Sequence, residues 1–106
     1  MSSFDEVYRI ARAIPRGRVS SYGRIARMME RPLSAKGVGW AMSQCPDDVP
    51  WHRVVGARGE VRTDARADMP EGVQRAMLEA EGVAFDTKGR VEMDAHLWDP
   101  ASTERP

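Results

Sequence analysis

Residues 49–55 read VPWHRVV, an indole set directly before a His-Arg pair and followed by the glycine turn GARG. Imidazole and guanidinium are side chains that can pass a proton or hold an anion. Indole does neither, because its ring N–H is a donor only. Trp51 therefore reads either as a core residue with polar neighbours or as the occupant of a position built for chemistry. Other reactive groups are scarce. Cys45, six residues upstream of Trp51, is the only thiol, which excludes an internal disulfide and any multi-cysteine metal site. His52 and His96 are the only histidines, and no ligand spacing accompanies them, so no metal is expected.

The elements that must position these groups are short. Phe4, Val7, Ile10, Ala11 and Ile14 make one stripe at helical spacing, which Pro15 and Gly17 end. Ser20 or Ser21 can cap a second helix with Ile25, Ala26, Met28 and Met29 on its apolar side, stopped by Arg31-Pro32. Ser34 can cap a third, SAKGVGWAMSQ, with Ala35, Val38, Ala41 and Met42 facing inward. Its interior glycines, Gly37 and Gly39, each cost about 1 kcal/mol relative to alanine. Such a cost is tolerated where another helix, or a nucleic-acid backbone, must come close.

After the polar loop Cys45-Pro46-Asp47-Asp48, residues 52–55 have strand character, and residues 60–62 return as a partner strand. TDARADMP reads as a loop. A fourth helix, EGVQRAMLEAEG, presents Val73, Ala76, Met77 and Ala80 on one side and closes at Gly82. VAFDTKGRVEM reads as a second hairpin over DTKG, followed by HLWDP and a frayed end. The expected fold is mainly α with small β, a winged helix-turn-helix in one domain over residues 1–106, with the C-terminal hairpin and tail from about residue 83.

The net charge of zero conceals two opposed halves. Up to Thr63 there are 11 basic and 6 acidic side chains, and from Asp64 onward 5 basic and 10 acidic. The first half can face phosphates while the acidic half faces away. No stretch has the apolar length of a membrane span, and MSSFDEVYR lacks the pattern of a secretory signal, so a cytoplasmic protein without membrane contact is expected. No coiled-coil or dimer stripe is visible, which favours a monomer.

Four pieces in order, IPRGRVSSYGRIA, SAKGVGWAM, PWHRVV with its glycine turn, and MLEAEGV, resemble the DNA-binding and active-site domain of O6-alkylguanine-DNA alkyltransferases over about residues 4–83. That family carries Pro-Cys-His-Arg-Val. Its cysteine thiolate accepts the alkyl group from guanine O6 once, after a histidine-water-glutamate relay removes the proton. The resemblance places Trp51 at the cysteine position and leaves His52 and Glu81, at the relay positions, with nothing to activate. Arg53 is expected to brace the loop through backbone carbonyls. The chain is thus similar to the alkyltransferase-like proteins, which recognise O6-alkylguanine without repairing it.

The resemblance implies a protein that is not an enzyme and has no catalytic residue and no organic cofactor. It would bind double-stranded DNA containing O6-alkylguanine through the minor groove and flip the lesion into a pocket bounded by Trp51, Met42, Val54 and Tyr22. It would block alkyltransferases and hand the lesion to nucleotide excision repair proteins, with the acidic second half as the docking surface. Implied DNA contacts are Tyr22, which crowds the target phosphate, and Ala35, Gly37 and Gly39, which let the third helix approach. Arg58 joins them, and Arg16, Arg18, Arg24 and Arg27 are further candidates for phosphates. Lys36 stands where the family has an arginine finger that fills the gap left by the flipped base. Lysine keeps the charge but lacks the planar guanidinium, so slower flipping or a shorter-lived flipped state is expected. Asp68 falls in the loop that closes over the base in relatives. Two other classes remain open: an active alkyltransferase using Cys45 or another nucleophile, and a winged-helix transcription regulator that reads undamaged sequence from the major groove.

Overall fold

The computed structural model describes residues 2–62, 65–66 and 69–100. Asp68 and residues 101–106 lie outside the described residues, and with them the expected lid position and the last part of the tail.

Helix α1, Ser3–Arg12, starts from a capping box in which Ser2 Oγ accepts from the Asp5 amide and Asp5 accepts from the Ser2 amide, both at 3.1 Å. Helix α2, Tyr22–Met28, is capped by Ser21, and helix α3, Ala35–Ser43, by Ser34. Helix α2 ends three residues before the Arg31-Pro32 stop, although Met29 beyond it remains buried. The three helices enclose one core that includes Val7, Ile10, Ile14, Ile25, Val38, Ala41 and Met42. Each of the larger ones contributes roughly 1.5–3 kcal/mol relative to exposure, and Ala41 less. Ala35, expected inside, is exposed at the first turn of α3.

The β structure departs from the expected wing. Trp51–Arg53 form one turn of 3-10 helix, with the Arg53 amide donating to Pro50 O at 3.0 Å. Only Val54–Val55 remain as strand β2, and they pair in parallel with strand β1, Ser20–Ser21. Residues 60–62 do not return along β2. Glu60 instead bridges Arg90 in the C-terminal hairpin. Gly59 explains the tether: its φ is +91°, its carbonyl accepts from the Val91 amide at 2.9 Å, and a Cβ there would lie 2.5 Å from Val91 O.

Helix α4, Val73–Ala80, closes as expected at Gly82, where the Gly82 and Val83 amides donate to Glu79 O and Leu78 O in a Schellman pair. Its buried face is rotated from the expected one. Gln74 and Leu78 are buried, Val73 and Met77 are half-buried, and Ala76 and Ala80 are exposed. Gln74 belongs inside because its amide donates to Val54 O at 2.8 Å while its Oε1 accepts from the Arg62 amide at 2.9 Å. Counting apolar residues overlooks a polar side chain that satisfies buried backbone in this way.

The second hairpin forms over residues 86–89, with the Asp86 amide donating to Arg90 O at 2.8 Å. HLWDP is docked against Val19, and the end expected to fray, residues 101–106, lies outside the described residues. A short helix, α5, Met93–His96, leads into the docked segment, and Val19 both donates to His96 O and accepts from the Trp98 amide. Trp98 is buried in the main core. No helix among the described residues is long and apolar enough to cross a membrane.

Candidate nucleic-acid interface

A groove of about 710 Å³ opens between α3 and the turn after β2. Tyr22 and Gly23, at the start of α2, contribute to its lining. One wall is α3, with Lys36, Trp40 and Ser43 at intervals of four and three residues and therefore on one helical face, beside Ala35 and Gly39. The opposite wall is Gly56, Ala57, Glu60 and Arg62. The Arg62 guanidinium carbon lies 5.5 Å from the centre of the Tyr22 ring.

The two glycines of α3 have different surroundings. A Cβ on Gly37 would meet Leu33 Cβ at 3.2 Å, and the Gly37 amide is held by Ser34, so this glycine serves packing inside the chain. A Cβ on Gly39 would be in ordinary contact with the Tyr22 ring at 3.8 Å, and Gly39 lines the groove. Gly37 does not.

Of the four residues expected to bound a pocket, only Tyr22 lines this groove. Trp51, Met42 and Val54 are buried together with Tyr22 in the main core, and Trp51 is only 5% exposed. The 3-10 turn accounts for the difference, because it withdraws residues 51 and 52 from the extended path that would have presented alternate side chains to the surface.

The expected phosphate contacts also separate. Arg16 donates to Ala80 O at 3.2 Å and Arg18 to Ala95 O at 2.8 Å, so each guanidinium satisfies a carbonyl in the last turn of a helix. Arg27 and Arg58 are exposed. Arg24 is half-buried, and its Nε has no protein partner.

Behind β2 lies a closed polar cluster centred on Glu81, the C-cap of α4. His52 Nε2 is 2.7 Å from Glu81 Oε2. Arg53 donates to Glu81 Oε1 from Nε at 3.0 Å and to Oε2 from its terminal nitrogen at 2.9 Å, and its other terminal nitrogen donates to Ile14 O at 2.9 Å. The Gly17 amide donates to Oε1 at 2.9 Å. Arg53 therefore braces a carboxylate as well as the expected backbone carbonyl. Burial pushes the Glu81 carboxyl up, but the hydrogen bonds from Arg53, Gly17 and His52 outweigh it and bring the pKa down to about 2. An ionised carboxylate only accepts, so His52 Nε2 carries the proton; His52 Nδ1 is buried without a protein partner.

Cys45 lies in the main core, 3% exposed, and the hydrogen bond of His52 runs to Glu81 rather than to the thiol. Among the described residues, no group of three or more His, Cys, Asp or Glu side chains is placed to hold a metal ion. Sequence reasoning missed Trp40, Arg62 and Gln74. For Trp40 a signal existed: it falls outside the inward stripe of α3.

Residues 2–83 match the family model of the 6-O-methylguanine DNA methyltransferase DNA-binding domain. The chain is 33% identical over 97 residues to a DNA base-flipping protein of Vibrio parahaemolyticus, covering 90% of this chain and 94% of that one. It is 35% identical over 105 residues to alkyltransferase-like protein 1 of Schizosaccharomyces pombe, covering 92% and 94%. Its fold is similar to the crystal structure of S. pombe Atl1 in complex with damaged DNA containing O6-carboxymethylguanine, with a TM-score of 0.73, 35% identity and 92% and 94% coverage. With a mainly helical fold and a two-stranded sheet matching in both sequence and structure, the chain belongs to the family of the 6-O-methylguanine DNA methyltransferase DNA-binding domain, among its alkyltransferase-like members.

Proposed function

We propose that this protein recognises O6-alkylguanine in duplex DNA by flipping the damaged base out of the stack, and that it does not accept the alkyl group. The observation that carries the reading is Trp51. The residue ahead of the His-Arg pair is an indole with no nucleophile to offer, and His52 directs its Nε2 proton to Glu81. The remaining thiol, Cys45, is buried in the core.

The groove supplies the binding chemistry. Lys36 and Arg62 bring positive charge to its two walls, and Gly39 lets the α3 backbone come close to a strand lying in it. Tyr22 crowds the phosphate of the target nucleotide. Extrusion of a base costs a few kcal/mol, less for a damaged one, and that difference helps select the lesion. Trp51, Met42 and Val54 act as the rigid apolar body joined to Tyr22, rather than as the lining itself. With phosphate contacts supplying much of the affinity, binding weakens steeply as salt rises.

The same reading makes the protein a cytoplasmic monomer that shields the lesion from alkyltransferases and passes it to nucleotide excision repair, with the acidic second half as the docking surface. The test compares a duplex bearing one O6-methylguanine with its guanine match at stated salt. Tighter binding of the lesion, with the mass of the protein unchanged after incubation, is the expected outcome. Equal affinities, or a stoichiometric gain of one methylene, would sink the reading.

A further inference from the structure

Trp40 is the one large hydrophobic side chain exposed among the described residues, at 66%, while its neighbours on the inner face of α3, Val38, Ala41 and Met42, are fully buried. An indole left in water forgoes the stabilisation that burying its large apolar surface would bring. Its surroundings indicate what covers it. Trp40 lines the groove one turn after Lys36 on the same face of α3, with Arg62 on the opposite wall. With Lys36 beside it, and Arg62 across the groove next to the single carboxylate Glu60, a planar aromatic here suits a partner that is itself flat and negatively charged.

On the reading that this face meets DNA, we infer that Trp40 stacks on a base left unpaired where the duplex is opened, so that α3 supplies charge from Lys36 and a planar surface from Trp40. A lysine at position 36 cannot stack. An indole four residues on provides the plane without the charge, and stacking on a base tolerates any sequence because every base has a π-face. The inference rests on the proposed function and extends it to a side chain that the resemblance does not assign.

The molecule carries its own probe. Trp51 and Trp98 are 5% and 6% exposed, so emission open to quenching by acrylamide comes from Trp40. The full-length protein is titrated with a duplex bearing one O6-methylguanine and with its guanine match, alongside Trp40→Ala and Trp40→Phe variants. The expected result is loss of the acrylamide-sensitive emission on the lesion duplex. With it comes about tenfold weaker binding for Trp40→Ala, a smaller loss on the matched duplex, and recovery in Trp40→Phe. If the parent binds the lesion duplex while Trp40 stays open to acrylamide and Trp40→Ala binds equally well, the inference fails and the proposed function stands. Shielding of Trp40 that grows with protein concentration without DNA, and a sedimenting dimer lost in Trp40→Ala, would assign the surface to a second copy and also overturn it. A parent that binds neither duplex overturns both.

Discussion

Glu81 and Lys36 carry opposite charges into opposite kinds of surroundings. Glu81 has a side chain 6% exposed, and it accepts from His52, Arg53 and the Gly17 amide, which together tie the loop after α1 to the 3-10 turn and the end of α4. Lys36 is exposed on α3, in the groove, and no ion pair ties it to another described residue. Glu81 thus works as a clamp, while His52 Nδ1 is left without a protein partner. The cation on α3 is held by no such contacts and stays exposed in the groove. The contrast teaches that similarity of residue types to a catalytic set does not by itself give chemistry. What decides it is the group the set would act on, and the indole of Trp51 offers no nucleophile.

Removing the clamp is the strongest way to break the comparison. Glu81→Ala strands His52 and the Arg53 guanidinium and should cost about 3 kcal/mol or more of stability. Lys36→Ala should change stability by no more than about 0.5 kcal/mol. Chemical denaturation of both variants checks this, and a Glu81→Ala protein as stable as the parent would dissolve the distinction.

Acid should sharpen it. The Glu81 carboxyl is depressed from 4.5 to about 2, so the unfolded chain binds this proton more readily than the folded one. Its contribution is complete above about pH 4.5 and is lost as pH falls toward 2. That loss amounts to about 3 kcal/mol. Denaturation midpoints between pH 5 and pH 2 should fall steeply in the parent and more gently in Glu81→Gln, whose amide does not titrate.

The smallest effect is on the open side. Lys36→Arg should tighten binding to the lesion duplex a few-fold, through added planar hydrogen bonding, with the salt slope unchanged because the charge is kept. Lys36→Ala should lower that slope by about one unit. Affinities across a salt series separate the two, and a Lys36→Arg protein that binds no better would remove the planar deficit assigned to lysine.

Much of the helical layer was legible. Ser2 was not foreseen as the cap of α1, but Ser21 and Ser34 were recognisable N-caps, and the stripes through Val7, Ile10, Ala11 and Ile14 and through Val38, Ala41 and Met42 lie inside as their spacing required. Local signals of this kind depend on neighbours within one or two turns. Strand pairing does not. Val54–Val55 choose Ser20–Ser21, more than thirty residues away, over the adjacent segment, and Gly59 binds that segment to Val91 instead. Gln74 and Trp40 broke the polarity rule in opposite directions, one buried because backbone groups need it, the other exposed on the groove.

The amino-acid order alone determined where the first four helices lie, the identity of the side chain ahead of the His-Arg pair, and hence the lack of a thiol there. Only the tertiary structure decided that Trp51 lies inside the core and Trp40 outside, and that Glu81 gathers three donors from distant segments. Those outcomes depend on which surfaces are left after the helices have packed, and no local pattern encodes that.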